Sequence, residues 1–381
     1  MIHAYQKRQR EMRGSAMMHA VIMAGGGGTR FWPRSRQRRP KQFLTLTGDR
    51  SLLQQSFDRI EAQVPPERTW VITAAVHREE AIRHLPTVPA DHIIGEPMGR
   101  DTAACVGLGA ALVAKHDPDA IMMVMPADHV IEPAQEFRRA AHAAEQLANE
   151  HPGAIITFGI PPTGPATGYG YIQRDAALPG RQGVSVFRVK KFHEKPPSEL
   201  AEQFVAHGDF FWNSGIFVWK SATILGALQE QRPAIAAAVQ RIANAWATGE
   251  REAVLRREYE SMERESIDFA VMQDAFRLKS VKEVLVIQAP FRWDDVGSWL
   301  ALERMHPQDA DGNTVLATHI GEKTDNCVIA SDPNHLIATF GVDNLLIIQD
   351  GNVTLVADRR NENEVKKLVE LLKQKGLEKY L

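Results

Sequence analysis

The residues best equipped for chemistry crowd into one stretch, AGGGGTRFWPRSRQRRPKQFL (24–44). Four glycines, Gly25 to Gly28, follow an apolar run, and Thr29 and the cations Arg30, Arg34, Arg36, Arg38, Arg39 and Lys41 come next. Glycine N–H groups carry no side chain in front of them and can approach anionic oxygens closely. A strand, a glycine loop and a basic segment in that order therefore make a phosphate cradle. A tight turn beside a solvated basic face is the plainer alternative for the glycines alone. Two standard cradles are excluded. Gly28 is followed by Thr29 and Arg30 with no Gly-Lys pair, so the segment is not a P-loop. Neither Gly25 nor Gly26 leads to a glycine five residues on, so it is not the dinucleotide fingerprint. A second candidate is Asp128 in MPADH, at the end of an apolar run, where a parallel sheet presents its ligands; a metal ligand and a helix N-cap are both open for it.

The elements that must position these residues follow from the apolar pattern. HAVIMA (19–24), TWVITA (69–74), HIIGEP (92–97), AIMMVMPAD (120–128) and AIITFGI (154–160) read as buried strands. Between them, segments such as DTAACVGLGAALVAKH (101–116) have helical length and spacing, with Asp101 as the expected N-cap. Continuous apolar strands covered by helices on both faces predict an α/β fold: a doubly wound, mostly parallel, Rossmann-like mixed sheet. Beyond residue 160 the pattern turns more antiparallel, through YGYIQR, VFRVKKFHEKP and FFWNSGIFVWK to VLVIQA (284–289). From about Gly312 short strands spaced by turns predict a small C-terminal β-rich domain closed by a helix, without an internal repeat at a solenoid period.

Composition bounds the rest. A chain of 381 residues with 44% hydrophobic content can bury a sizeable core and divides into two domains, because single cores rarely grow past about 250 to 300 residues. The expected boundaries are a disordered leader at 1–18, a main domain at 19–305 and the β-rich domain at 306–381; Met17 and Met18 are alternative starts within the leader. Lys plus Arg number 45 against 47 for Asp plus Glu, so no global basic field exists to capture nucleic acid. Cys105 and Cys327 stand in no metal-ligand spacing, which fits a reducing cytoplasm. No window approaches eighteen uninterrupted apolar residues, and no membrane span is expected.

Taken whole, GGGGTRFWPRSR followed by PKQFL resembles the signature of the sugar-1-phosphate nucleotidylyltransferases, and its Trp-Pro and Lys-Gln-Phe-Leu forms are similar to the mannose-1-phosphate guanylyltransferase branch. The resemblance continues, in family order, through GEPMGRDTA (95–103), MPADHVI (125–131), FGIPPTGPATGYGYI (158–172), VKKFHEKP (189–196), FFWNSGIFVWK (210–220), SIDFAVM (266–272) and FRWDDVGSW (291–299). The first twenty and last seventy residues are weakly covered. What the resemblance implies is attack of a sugar phosphate oxygen on the α-phosphorus of GTP, giving a GDP-sugar and pyrophosphate. From the length, a fused isomerase cupin is not expected.

The resemblance also implies roles. Arg30 and Lys41 face the triphosphate, while Arg34, Arg36, Arg38 and Arg39 divide between surface charges and residues that hold the loop shut. Ala24, Gly25, Gly26, Gly28 and Thr29 belong to the nucleotide site, as do Glu96 and Thr102, with Glu96 either accepting from the base or capping a loop. Asp128 and Asp295 hold Mg²⁺, and Asp294 forms a structural salt bridge. Gly168, Glu194, Lys195 and Asn213 bind the sugar phosphate, with Lys195 on its phosphate. Ala166, in place of the glutamate common before TGYG, and His193, in place of an apolar residue before EKP, depart from the family pattern and put fine sugar selectivity in question. The expected partners are GTP and mannose 1-phosphate, with neither nucleic acid nor membrane, and the expected assembly is a homodimer. The competing readings are another sugar 1-phosphate of heptose or glucose type, a noncatalytic regulatory relative that would tolerate loss of the charged residues, and a glycosyltransferase that would want a DxD-like motif.

Overall fold

The structure, a computed structural model, describes residues 16–381; residues 1–15 of the expected leader lie outside the described residues. The strands are β1 (Met18–Ala24), β2 (Thr69–Ala74), β3 (Ile93–Glu96), β4 (Ile121–Pro126), β5 (Val130–Glu132), β6 (Ala154–Ile160), β7 (Tyr171–Arg181), β8 (Val184–His193), β9 (Phe210–Lys220), β10 (Glu283–Gln288), β11 (Arg292–Asp294), β12 (Thr314–Leu316), β13 (Thr318–Asp325), β14 (Val328–Ala330), β15 (Leu336–Asp343), β16 (Leu345–Asp350) and β17 (Val353–Asp358). The chain divides into two compact units, one holding residues 57–126 and 131–293 with the N-terminal strand, the other residues 24–56, 127–130 and 294–381.

The first unit is built on a nine-stranded sheet in the order β3-β2-β1-β4-β9-β6-β10-β8-β7. The pairs β2–β3, β1–β4 and β6–β10 are parallel, whereas β9 runs antiparallel to both β4 and β6, and β7 and β8 extend the sheet antiparallel. The change of texture expected beyond residue 160 is thus present. Strands β1, β4 and β6 are buried along nearly their whole length, which is why they read as unbroken apolar runs. Helix Asp101–His116 packs into this core so closely that a Cβ on Gly109 would stand 2.9 Å from Val21 Cγ1. Asp101 does not cap it: the N-cap position is Arg100, and Asp101 takes φ +64° with its carboxylate accepting from the adjacent Thr102 N–H, at 2.8 Å.

The second unit joins the glycine-rich segment to the C-terminal strands through one hydrophobic core. Phe31, Trp32, Leu44 and Leu46 pack with Val296 and Trp299 and with Val328, Ala330, Leu346, Ile348, Leu355 and Val365. Strands β12, β14 and β16 stack in parallel, Thr314 on Val328 on Leu346, and β13 pairs in parallel with β15. These are coils of a β-helix. Their repeat is 14 residues at one step and 18 at the next, and that irregularity hides from the sequence the repeat that the structure contains. No helix among the described residues is long and apolar enough to cross a membrane.

Candidate active site

The glycine loop owes its shape to contacts no other residue would permit. Gly28 sits at φ +55°, and a Cβ there would stand 2.5 Å from Lys41 Cβ. Ser35 Oγ donates to the Gly27 carbonyl at 3.0 Å, and Gln42 Nε2 donates to the Ala24 carbonyl at 2.7 Å, so the loop is sewn to the turn that carries Lys41. Gly25, Gly26, Thr29 and Arg30 are exposed, and nothing lies within 4 Å of a Cβ placed on Gly25 or Gly26. Their backbone is open to a ligand. Arg34 donates to the Ser331 carbonyl at 3.0 Å, and Arg36 to the Asp350 carbonyl at 2.8 Å and carboxylate at 3.0 Å. These two arginines hold the loop shut against the β-coil; Arg38 and Arg39 are exposed. Trp32 and Phe43 are buried packing residues, and Trp32 Nε1 donates to the Tyr380 carbonyl at 2.9 Å.

Gly28, Thr29, Arg30, Lys41, Asp128 and Asp295 line one cavity of about 260 Å³, joined by Phe31, His129 and Gly297. This cavity, within the second unit, thus collects Gly28, Thr29, both cations and both acids of the expected phosphate and metal site. Lys41 is 6% exposed, and its Nζ donates to Asp128 Oδ2 at 2.8 Å and to the Asp295 carbonyl at 2.6 Å. Burial would push the Asp128 carboxyl up, but the Lys41 ammonium, with His129 and the lysine hydrogen bond, holds it below the usual carboxylate range. A Cβ on Gly297 would stand 3.0 Å from Asp295 Oδ2 and 3.5 Å from Arg30 Nη1, so this glycine lets the carboxylate and the guanidinium approach one patch of backbone. Between them Val296 is fully buried at φ +48°, a strained setting for a β-branched residue. Its N–H donates to Asp294 Oδ1 at 2.7 Å, and Asp294 also binds Arg304, the salt bridge expected of it. No group of three or more His, Cys, Asp or Glu side chains among the described residues gathers to hold a metal. Two carboxylates suit a hard divalent cation whose other ligands are water and phosphate oxygens.

The first unit holds the expected sugar residues. Glu194 closes on Gly170, where a Cβ would stand 2.6 Å from Glu194 Oε2, whereas nothing lies within 4 Å of a Cβ on the exposed Gly168. Lys195 Nζ lies 3.2 Å from Glu194 Oε1 on a residue at φ +43°, with its side chain 62% exposed. Asn213 accepts from the Gly215 N–H at 3.2 Å and donates to Asp268 Oδ1 at 2.9 Å. Asp268 was not singled out by the sequence, because an acid in the first turn of a short helix, behind the Ser266 cap, has an ordinary structural use. Burial, reinforced by the Glu194 charge, pushes its carboxyl up to about 6. His193 is the last residue of β8, a strand residue as expected.

The expected base residues lie in the same unit, at the end of β3 and the start of helix Asp101–His116. Glu96 is buried and accepts from the Tyr259 hydroxyl at 3.0 Å. Thr102 Oγ1 accepts from the Ile267 N–H at 2.8 Å, so it also serves the frame of the loop. Tyr259 carries no sequence signal: a lone tyrosine in a helical run 163 residues away is indistinguishable from core.

Residues 19–312 match the nucleotidyl transferase family, and residues 317–372 match the MannoseP isomerase/GMP-like beta-helix domain. The chain belongs to the nucleotidyl transferase family. Within it, the chain is 38% identical over 368 residues to a mannose-1-phosphate guanylyltransferase of Klebsiella pneumoniae, covering 96% of this chain and 76% of that protein. It is 35% identical to the xanthan biosynthesis protein XanB of Xanthomonas campestris pv. campestris (strain B100), covering 93% of this chain and 73% of that one. The crystal structure of a protein named mannose-1-phosphate geranyltransferase, from Thermus thermophilus, superposes with a TM-score of 0.81 at 33% identity, covering 93% of this chain and 99% of that one.

Proposed function

We propose that the protein transfers GMP from GTP to α-D-mannose 1-phosphate, giving GDP-mannose and pyrophosphate. The observation that carries this reading is the cavity that Arg30, Lys41, Asp128 and Asp295 line together beside a glycine loop, with Lys41 bound to the Asp128 carboxylate and the Asp295 main-chain carbonyl. A sugar phosphate oxygen is already ionised near neutrality, since the second phosphate pKa is about 6, so the attack needs no general base. The barrier is repulsion between anions: two unit charges at about 4 Å cost roughly 4 kcal/mol at an effective dielectric of about 20. Fixed cations and loop N–H groups that neutralise this charge lower the barrier without proton transfer.

In this reading Arg30 and Lys41 neutralise the triphosphate and the leaving pyrophosphate, and N–H groups of the segment from Ala24 to Thr29 cradle it, with clear space around Gly25 and Gly26. Asp128 and Asp295 would hold Mg²⁺, which supplies Lewis-acid charge neutralisation at the phosphates. Lys195 takes the acceptor phosphate, while Glu194 and Asn213 take sugar hydroxyls, with the Gly168 loop beside them. Glu96 accepts from the guanine N1–H and amino group, and Thr102 shapes that loop. We assign catalysis to residues 19–305 and support of the glycine loop to the C-terminal β-coils. The name of the xanthan relative supports a place in polysaccharide biosynthesis. The buried free thiols of Cys105 and Cys327 support a reducing cytoplasm. Ile320, Leu336 and Phe340, at 65%, 58% and 71% exposure, share one face of the β13–β15 pair and support a homodimer, which sedimentation at varied concentration checks.

A pyrophosphate-release assay across GTP, ATP, dTTP and UTP and across mannose, glucose and heptose 1-phosphates tests the reading. GTP with mannose 1-phosphate should be the best pair. Comparable efficiency with ATP or dTTP, or a better sugar partner, would move the protein to another branch of the family.

A further inference from the structure

Tyr259 belongs to none of the family motifs, yet it is fully buried and its hydroxyl donates to Glu96 Oε1 at 3.0 Å. The segment around it is laced to the loop that follows Glu96. Arg100 donates through Nε to the Tyr259 carbonyl and through Nη2 to the Glu260 carbonyl, both at 2.7 Å. The Ala103 N–H donates to the Glu265 carbonyl at 3.0 Å, and Ile267 N–H to Thr102 Oγ1 at 2.8 Å. Residues 259–267 therefore frame the loop from Glu96 to Ala103, and the phenol fixes one carboxylate oxygen within that frame.

We propose that Tyr259 is a positioning residue for base selection: its phenol holds the Glu96 carboxylate as the acceptor for the N1–H and exocyclic amino group of a guanine nucleotide. This rests on the reading of Glu96 as the base acceptor. A protonated Glu96 would offer an O–H where guanine offers N–H donors, so recognition depends on keeping the carboxylate ionised. Burial works against that and pushes Glu96 up to about 7; the Tyr259 hydrogen bond pulls it down, and the Asp101 charge pushes it up. The other titratable neighbours stay neutral, because burial, together with the Glu96 charge, pushes both the Tyr259 phenol and the Cys105 thiol well up. Tyr259 is thus a permanent donor to the carboxylate.

The readout is the ratio of kcat/KM for GTP to that for ITP, which keeps N1–H but lacks the amino group; phosphate titration cancels in it. In the wild type the ratio should rise about tenfold between about pH 6 and about pH 8.5, the scale of one hydrogen bond to a charged acceptor, with a midpoint near neutrality. Tyr259→Phe removes the phenol's support for the ionised form. Its ratio near pH 7 should fall roughly fivefold and recover as the pH rises, through KM rather than kcat. Glu96→Gln should give a low, flat ratio. A Tyr259→Phe profile that superposes on the wild type, or that loses GTP and ITP equally at every pH, overturns the assignment of Tyr259 while Glu96→Gln stays flat. A Glu96→Gln enzyme that keeps the wild-type profile removes Glu96 from base recognition and the proposal with it. Should Tyr259→Phe fail to fold, replacing tyrosine by the more acidic 3-fluorotyrosine, a stronger hydrogen-bond donor, should move the midpoint of the ratio to lower pH; an unmoved midpoint or a flat wild-type ratio overturns the proposal.

Discussion

The cavity beside the glycine loop and the residues proposed for sugar and base treat carboxylates in opposite ways. In the cavity, Asp128 is held below its usual range by a lysine that is itself almost wholly buried. In the other unit, burial pushes Glu96 to about 7 and Asp268 to about 6, and the single nearby lysine of the expected site, Lys195, is 62% exposed. The first arrangement keeps charge fixed, as stabilisation of a highly anionic reaction demands. On the proposed assignment, the second keeps desolvated acceptors near their titration range, where a ligand lacking the right N–H or O–H donor leaves lone pairs unsatisfied. That is how polar sites reject near-isosteric ligands. Rate and selectivity are therefore expected to fail separately when each region is disturbed.

The largest effect should come from Lys41→Ala, which removes the cation that ties the Asp128 carboxylate to the Asp295 main-chain carbonyl. Turnover should fall by about 10² to 10³, the scale of one preorganised electrostatic contact. Circular dichroism should show the fold retained, and unchanged turnover in folded protein would remove Lys41 from the mechanism. Next, Asp128→Asn and Asp295→Asn should each slow turnover by about tenfold or more and raise the Mg²⁺ concentration needed for half-maximal rate. Because the two are assigned to one ion, the double variant should lose little beyond the worse single variant. Full additivity would show that they do not share it.

Lys195→Ala probes the other side of the comparison. KM for the sugar 1-phosphate should rise roughly tenfold, and KM for GTP should change by less than about twofold, as for loss of a charge-assisted contact to one substrate. Equal losses for both substrates would show that the two regions are not separable.

The smallest expected effect is one of stability. Asp268 has a folded pKa of about 6, above the unfolded value of about 3.9, so between these values the native state holds more protons than the unfolded one. Stability from this group accordingly falls as the pH rises from about 4 to about 6, and the penalty is complete above that. Asp268→Asn should remove the slope and stabilise the protein by about 1 kcal/mol at neutral pH, after allowance for solvent screening. Urea unfolding at about pH 4.5 and about pH 7.5 checks it: a stability gain equal at both would assign the raised pKa to some other group.

Much of the local structure was legible. The strands at 69–74 and 154–160 and the helix at 101–116 fall where apolar runs and helical spacing put them. The motif residues that come together in one cavity were legible as a group too, since glycine and cationic residue types carry their chemistry wherever the chain takes them. Other features left no local trace. Gly170 differs from Gly168 in having no room for a side chain, only because Glu194 folds onto it. The β-coils stack at spacings of 14 and 18 residues, too uneven for a visible period.

What the sequence determined by itself was therefore the set of elements and the class of chemistry, because periodicity and residue type act over a few positions of covalently neighbouring chain. Tertiary structure alone decided the partners. Lys41 meets an acid 87 residues away, Glu96 meets a phenol 163 residues away, and Arg36 reaches a carbonyl 314 residues away to shut the glycine loop. Each of these pairs forms because burying apolar surface elsewhere in its unit brings the segments together, and the polar groups carried along must then find one another or lie unsatisfied.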